Sequence, residues 1–292
     1  MNDELMLVQK KIAVLLTCYN RKLKTLNCLT SFYNSNFPQD YIFDVFLVDD
    51  ASTDGTADEI IKKYPNINII QGNGHLFWAG GMRLAFESIK KSNVYDAYLL
   101  LNDDVELKSD FFSTILETKQ YCLKNYNKGG IYSGSTIDKK SGLISYGGNL
   151  LYKGIDNPNY ELVKPSNLPQ PCHLTNANVL YVEKEVIDTI GFLDEKFVHG
   201  IADYDFSLRA FKAGFPVCIT ADICGYCEDD HGINLSNSKN LFKRIQYLKS
   251  PLGLSYNEYL FYIKRHYPKY YYLSVTKLWF RTLFPFVFRI IN

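Results

Sequence analysis

The sequence predicts an α/β fold with a mainly parallel, doubly wound sheet, and three observations carry that expectation. Four runs rich in apolar residues, "KIAVLLTCYN", "FDVFLVDDASTDGT", "NINIIQ" and "AYLLLNDD", read as strands buried on both faces. Each is followed by a segment of helical period, and such alternation implies right-handed crossovers and a parallel sheet. The runs also end in polar or acidic residues, "TCYNR", "DDASTD", "QGNGH" and "NDD". That places a polar rim at the carboxyl edge of the sheet, where ligands bind in open α/β folds.

In chain order, Leu23, Leu26, Leu29 and Phe32 form the apolar stripe of a first helix after the first strand. Thr56 with Glu59 reads as a capping box opening the helix "ADEIIKKY". "GGMRLAFESIKK" is a third helix with its N-terminus near Gly81, and a fourth runs from about Asp110 to Lys124. The texture changes after Gly129. "LISYGGNLLYKG" reads as a hairpin and "NPNYELVKPSNLPQP" as a polar loop able to order over a ligand. "VLYVEKEVIDTIGF" is a short strand and a helix ended at Gly191. "GIADYDFSLRAFKAGF" supplies a late helix with Phe206, Leu208, Ala210 and Phe211 on it, stopped by Gly214. The expected units are an α/β half over 1–128, an α+β half over 129–240 and a helical tail over 241–292.

Composition is that of an ordinary globular protein, with 47% hydrophobic, 22% charged and a high 15% aromatic residues. No window supplies the roughly 18 uncharged apolar residues of a membrane-spanning helix. The opening "MNDELMLVQKK" is acidic where an export signal is basic. Seven scattered cysteines favour reduced thiols and a cytoplasmic setting. The close pair "CGYC", Cys224 to Cys227, is either half a zinc site with Cys218 and His231 or a redox pair. Net charge is +1, yet residues 241–292 hold nine Lys or Arg against one acidic residue, and 15 of the 44 aromatics. Such a tail suits either peripheral contact with anionic lipid at the inner face of the membrane or docking on the rest of the chain.

Adjacent carboxylates at a strand end repel each other and resist desolvation. Asp104 is a hard anionic ligand suited to Mg²⁺ or Mn²⁺, ions that keep waters and bridge to phosphates. The alternative is a solvated pair or a cap for the helix near Asp110. Asp49 and Asp50 are placed to accept from a base or ribose, or else to build a turn with Ser52, Thr53 and Asp54. In "GNGHLFWAGG" the glycines permit close backbone approach, Trp78 offers a stacking face, and a helix N-terminus near Gly81 suits a diphosphate. The dinucleotide fingerprint needs its glycines straight after the first strand, where this chain has "TCYNRK".

Six segments in order, "LLTCYNR", "FLVDDASTDGT", "GNGHLFWAGGMRLA", "LLLNDDVEL", "EKEVIDTIGFLDEKF" and "ADYDFSLRAFKAGF", make the chain resemble a family 2 glycosyltransferase of GT-A fold, similar to bacterial rhamnosyl- and galactosyl-type surface polysaccharide transferases. The resemblance covers residues 11 to about 232. It implies a nucleotide site over 1–128 drawing on Thr17, Tyr19, Arg21, Asp49, His75, Trp78, Gly81 and Asp103. It also implies a metal, Mn²⁺ or Mg²⁺, at Asp104 and His231. The acceptor half over 129–240 carries a catalytic base at Asp203, the aspartate of a Glu-Asp pair opening the late helix, with Asp205 as the alternative. A helix N-terminus would keep that carboxylate ionised. His199 lines the acceptor pocket on this reading, Arg209 pairs with an aspartate or reaches phosphate, and His173 has a weaker claim.

Three positions depart from the family pattern: Asn102 replaces the first aspartate of Asp-x-Asp, His75 a usual asparagine, and Ala202 the glutamate of the base pair. The implied reaction is inverting transfer from a UDP-sugar or dTDP-sugar to a saccharide or lipid-linked acceptor, with no nucleic acid involved. A sugar-1-phosphate nucleotidyltransferase would carry a glycine-rich basic loop where "TCYNRK" stands. A non-catalytic glycan-binding module would need no strand-end acidic set.

Overall fold

The structure, a computed structural model, describes residues 9–92, 94–229 and 238–285. Strands β1 (Lys10–Cys18), β2 (Tyr41–Asp49), β3 (Asn68–Gln71) and β4 (Ala97–Leu101) lie parallel in the order β3-β2-β1-β4. Helices α1 (Lys22–Tyr33), α2 (Thr56–Lys63), α3 (Phe77–Ile89) and α4 (Phe111–Tyr126) alternate with them. Successive residues of a strand face opposite sides, and β1 divides accordingly. Ile12, Val14 and Leu16 join Leu29 and Phe32 of α1 and Phe111 and Ile115 of α4 in one apolar layer. Ala13 and Leu15 join Ala79, Met82 and Ala85 of α3 in the other. Each Ile, Val, Leu, Met or Phe among them, fully buried, contributes roughly 1.5–3 kcal/mol, and the alanines less. These are the two layers of a doubly wound sheet, as the apolar runs predict.

The second half extends the same sheet through strands of mixed direction. After β5 (Glu106–Leu107) come β6 (Ile131–Ile137), β7 (Ile144–Tyr146), β8 (Gly148–Leu150), β9 (Glu161–Val163), β10 (Gln170–Pro171), β11 (Leu174–Thr175), β12 (Val179–Glu183) and β13 (Val217–Tyr226). β12 inserts antiparallel between β4 and β6, while β13 runs parallel to β6. β11, β8 and β9 form a separate three-stranded sheet. The expected hairpin is not one. β7 pairs with β6, β8 pairs with β9 and β11, and the chain changes sheets at Gly147. Space explains the glycines at the crossing, since a Cβ on Gly148 would lie 2.4 Å from Ile219 Cγ2.

Helices α5 (Lys184–Ile190) and α6 (Ala202–Lys212) follow β12, each ending near a positive-φ glycine, Gly191 and Gly214. The tail forms α7 (Leu241–Lys249), α8 (Tyr256–His266), a 3₁₀ turn over Pro268–Tyr270 and α9 (Tyr271–Leu283). Tyr262, Ile263 and Tyr267 of this tail are buried in the layer that holds α3 and α6. Docking on the rest of the chain is therefore one role of the tail. Its outer side keeps Phe242, Leu252 and Tyr272 exposed beside Lys243, Lys249, Lys269 and Lys277.

Two local expectations change. Thr56 is the first residue of α2 instead of its cap; Gly55 takes the cap position in the left-handed conformation, and Asp54 accepts from both the Thr56 amide and hydroxyl. Helix α3 begins at Phe77, so Gly81 lies inside it and not at its N-terminus. Gly81 instead lets α3 rest on β1, because a Cβ there would stand 2.2 Å from Thr17 Oγ1 and 2.6 Å from Thr17 Cβ. Gly81→Ala is expected to destabilise the fold by about 1–3 kcal/mol, the usual cost of overpacking, read as a lower urea midpoint with an unchanged slope.

Candidate functional site

The turns after β1 and β2 are stitched together at the carboxyl rim. Asn20 donates its amide to Ser52 Oγ (2.9 Å) and accepts from the Thr53 amide through Oδ1 (2.7 Å). Asp49, almost fully buried, accepts from the Ser52 amide at 2.9 Å. Asp50 shapes the glycine segment. Its carboxylate accepts from the amides of Gly74 (2.7 Å), Leu76 (2.8 Å) and Phe77 (3.3 Å), supplying at a distance in sequence the N-terminal cap that α3 lacks locally. The chain passes so close that a Cβ on Gly72 would meet Asp50 Oδ1 at 2.5 Å. His75 is left exposed at the tip, as is Tyr19 after β1. Trp78 is held edge-on, its indole N–H donating to Asn102 Oδ1 at 2.8 Å.

The residues after β4 meet Arg21, which opens α1. Its guanidinium bridges both carboxylates, Nη1 to Asp103 Oδ1 at 3.1 Å and Nη2 to Asp104 Oδ2 at 2.6 Å. Asp103 also accepts from Thr25 Oγ1 at 3.1 Å. Burial pushes its carboxyl up to about 6; Arg21 and Thr25 pull the other way, and Asp104 adds to the rise. The charge repulsion of the adjacent pair is thus met by an arginine from the first strand's turn. Sequence places Arg21 near the nucleotide; the structure puts it on Asp103 and Asp104.

Asp203 stands in the first turn of α6, partly buried. Its carboxylate accepts from the Tyr204 amide at 2.9 Å and the Ala177 amide at 3.3 Å. Burial raises this carboxyl to about 6, with those amides drawing it back. Asp205, two residues on, points to the other side of the helix. It is fully buried and holds Arg209 Nε (2.8 Å), Arg265 Nη1 (2.8 Å) and His266 Nε2 (2.9 Å). Those partners make it an anchor for the tail. Arg209 pairs with Asp205 and donates to the carbonyls of Ile190 and Phe192.

Residues 177 and 178 join the two parts. Ala177 N–H holds Asp203, while Asn178 O accepts the Asn102 amide at 3.0 Å and its side chain donates to Cys227 Sγ, which faces Asp104 Oδ1 at 3.6 Å. Consecutive Cα atoms are 3.8 Å apart, so the start of α6 and the "NDD" turn share one short rim. The thiols of "CGYC" diverge: Cys224 Sγ lies near Phe111 O and Cys227 near Asp104, and all seven cysteines are free and buried. His199 packs its ring against Phe77, is held below its ordinary pKa by burial and by Arg21, and leaves Nδ1 without a partner among the described residues. His173 accepts the Leu151 amide and packs on Phe211.

Among the described residues no group of three or more His, Cys, Asp or Glu side chains is arranged as a metal cage. The donor chemistry nonetheless suits a cation that takes one carboxylate and completes its shell with phosphate and water. Asp104 is the carboxylate of the pair less committed to the interior, its side chain 12% exposed against 5% for Asp103. His231 lies outside the described residues.

Residues 13–143 match the family described as glycosyl transferase family 2. Among solved structures, the chain is similar to the mannosyltransferase PcManGT from Pyrobaculum calidifontis in complex with GDP-Man and Mn²⁺, at 12% identity and a TM-score of 0.52, covering 82% of this chain and 61% of that one. It is also similar to S. aureus TarS 1–349 in complex with UDP-GlcNAc, at 16% identity and a TM-score of 0.51, covering 88% of this chain and 72% of that one. The chain thus spans about three-fifths of the mannosyltransferase, and likenesses at such identity concern the fold. A search of curated proteins returned no match.

Both Asp103 and Asp203 are expected to titrate near about 6 in the nucleotide-free protein, against 3.8 for an ordinary aspartate. Between those values the folded chain holds protons that the unfolded chain releases. The pair therefore favours the folded state at low pH, and that contribution is lost as pH rises through about 6. Side-chain carboxyl ¹³C titration checks this, with Asp203→Asn removing one of the two transitions.

Proposed function

From the match of residues 13–143 to glycosyl transferase family 2, we propose that the chain is an enzyme of that family and moves a sugar from a nucleoside-diphosphate donor to a saccharide or lipid-linked glycan by a single inverting displacement. The observation that carries this reading is the short link through Ala177 and Asn178 between Asp203 and the "NDD" turn. A proton-accepting carboxylate and a diphosphate-facing one belong on the same rim for in-line transfer.

Asp203 takes the proton of the acceptor hydroxyl. A carboxyl near 6 is ionised at neutral pH yet remains a better base than an ordinary aspartate. The Tyr204 and Ala177 amides hold it in place. Asp104, with His231, would hold a Mn²⁺ or Mg²⁺ ion, which supplies charge neutralisation for the departing diphosphate. Arg21 brings a further positive charge to the same place, and the Asp50-capped segment carries Trp78 and His75 beside it. Thr17, Tyr19, Asp49 and Asp103 line the nucleotide side, and a UDP- or dTDP-sugar fits Asp49 because both pyrimidines present the same N–H edge. Complexes with GDP-Man and with UDP-GlcNAc among the similar structures support a nucleotide-sugar donor in general.

The test is nucleotide release, followed by mass spectrometry, on a panel that includes UDP-glucose, UDP-galactose and dTDP-rhamnose, with and without Mn²⁺. Asp203→Asn is expected to lower kcat by about 10²-fold or more while nucleotide affinity changes less than about threefold. Retained turnover would remove Asp203 from the base role.

The exposed apolar and lysine side chains of α7 and α9 suit peripheral contact with an anionic bilayer. No helix among the described residues is long and apolar enough to cross a membrane. Sedimentation with phosphatidylserine-containing vesicles should carry the protein down at low salt, and Phe242→Ser with Lys243→Glu should weaken that binding severalfold. Equal binding to neutral vesicles would exclude the charge-assisted mode.

A further inference from the structure

The chain enters α6 through a conformation that its own side chain disfavours. Ile201, the residue before the helix, sits at φ +67° and ψ −14°, the left-handed region in which a β-branched residue is an outlier. Such a conformation persists when its surroundings over-determine it. Ile201 O accepts the Asp205 amide at 2.9 Å, the opening bond of the helix, so the direction of α6 is set at this residue. Asp203 follows two positions later. Its shorter backbone bond, from the Tyr204 amide at 2.9 Å, comes from α6 itself, and the one from Ala177 is longer at 3.3 Å, so the carboxylate moves with the helix start.

The segment before Ile201 is held from both sides. Phe197 O accepts from Arg83 Nη1 at 2.7 Å, and Val198 O accepts the Ala79 amide at 3.1 Å, both from α3. The amides of Val198 (2.8 Å) and His199 (3.3 Å) both donate to Glu258 Oε2, in the first turn of α8. Glu258 is the single acidic residue of 241–292, and it is 7% exposed. The last turn of α8 reaches the same element from the far side, where Arg265 and His266 hold Asp205. One tail helix therefore grips the chain just before Ile201 and just after Asp203.

We propose that Glu258 is a positioning residue for transfer: it pins the 198–199 backbone so that Ile201 keeps its left-handed entry and α6 presents Asp203 to the acceptor. The proposal rests on the reading of Asp203 as the base. It makes the C-terminal tail part of the catalytic machinery, in addition to any contact its outer side makes.

The test uses the full chain and the donor panel above. Glu258→Ala should lower kcat at least tenfold, with the Kd for UDP changed less than threefold and a cooperative melt retained. Glu258→Gln keeps an acceptor oxygen and should stay within threefold of the parent. Adding Ile201→Gly to Glu258→Ala removes the conformational penalty and should recover several-fold of the lost kcat. A readout without substrate is the Asp203 carboxyl ¹³C titration, whose midpoint should fall in Glu258→Ala and stay put in Glu258→Gln. Where Glu258→Ala does not melt cooperatively, Glu258→Asp, which withdraws the carboxylate by one methylene, serves the same comparison. Unchanged kcat in the truncated variant, equal losses in kcat and UDP affinity, or a glutamine variant as poor as alanine would overturn the proposal. Turnover surviving in Asp203→Asn would sink the base reading instead, whatever Glu258 does.

Discussion

A carboxylate withdrawn from water costs several kcal/mol unless donors or a counter-charge meet it, and the carboxyl rim of this sheet gathers Asp49, Asp50, Asp103 and Asp104 with Asp203 beside them. Each is met differently. Asp49 and Asp50 are met by backbone amides, which fixes two turns and the start of α3. Asp103 and Asp104 share one guanidinium, from Arg21. Asp203 is met by the Tyr204 and Ala177 amides and the Asn176 side chain, and burial still raises its carboxyl to about 6. Burial raises Asp103 and Asp203 alike, whether the donor is a guanidinium or an amide.

The same logic separates the two aspartates of α6. A spacing of two residues turns about 200° around a helix, so Asp203 faces Ala177 and Asp205 faces α8. Three cationic or imidazole partners hold Asp205 below the ordinary carboxyl range despite its burial. The tail is consequently attached to α6 on the side opposite Asp203. Its basic character is then only partly a surface property, since Arg265 is spent on Asp194 and Asp205, and Arg244 on backbone carbonyls of Ser238 and Thr282.

The first half of the fold was legible because β1, β2 and β4 are apolar runs, although β3 is an edge strand with no fully buried residue and Leu23 of the expected α1 stripe is exposed, its place inside taken by Thr25 and Cys28. β6 and β13 were not, and composition says why. β6 reads "IYSGSTI", with Ser133, Ser135 and Thr136 fully buried, and β13 is interrupted by Asp222 and two register shifts. Gly134 is needed because Cys224 of β13 lies against it; a Cβ there would be 2.7 Å from the thiol. Buried small polar residues follow from that close strand approach and leave no apolar run to read. At the rim, residue types were legible but partners were not. Asp50, Thr25 and Glu258 act through backbone amides or a neighbouring carboxylate far along the chain, contacts that spacing cannot reveal.

Asn102 shows how a departure from a family pattern is absorbed. Its amide oxygen takes the Trp78 indole N–H, its carbonyl takes the Cys28 thiol, and its amide N–H goes to Asn178. All three contacts are structural, and they tie the glycine segment, α1 and the approach to β12 to the end of β4. An aspartate at 102 would place a third carboxylate beside the single guanidinium of Arg21, with the indole as its other donor. The neutral side chain keeps the Trp78 contact without that added repulsion. It leaves the Arg21 guanidinium to Asp103 and Asp104, so the two carboxylates of the "NDD" turn share one arginine.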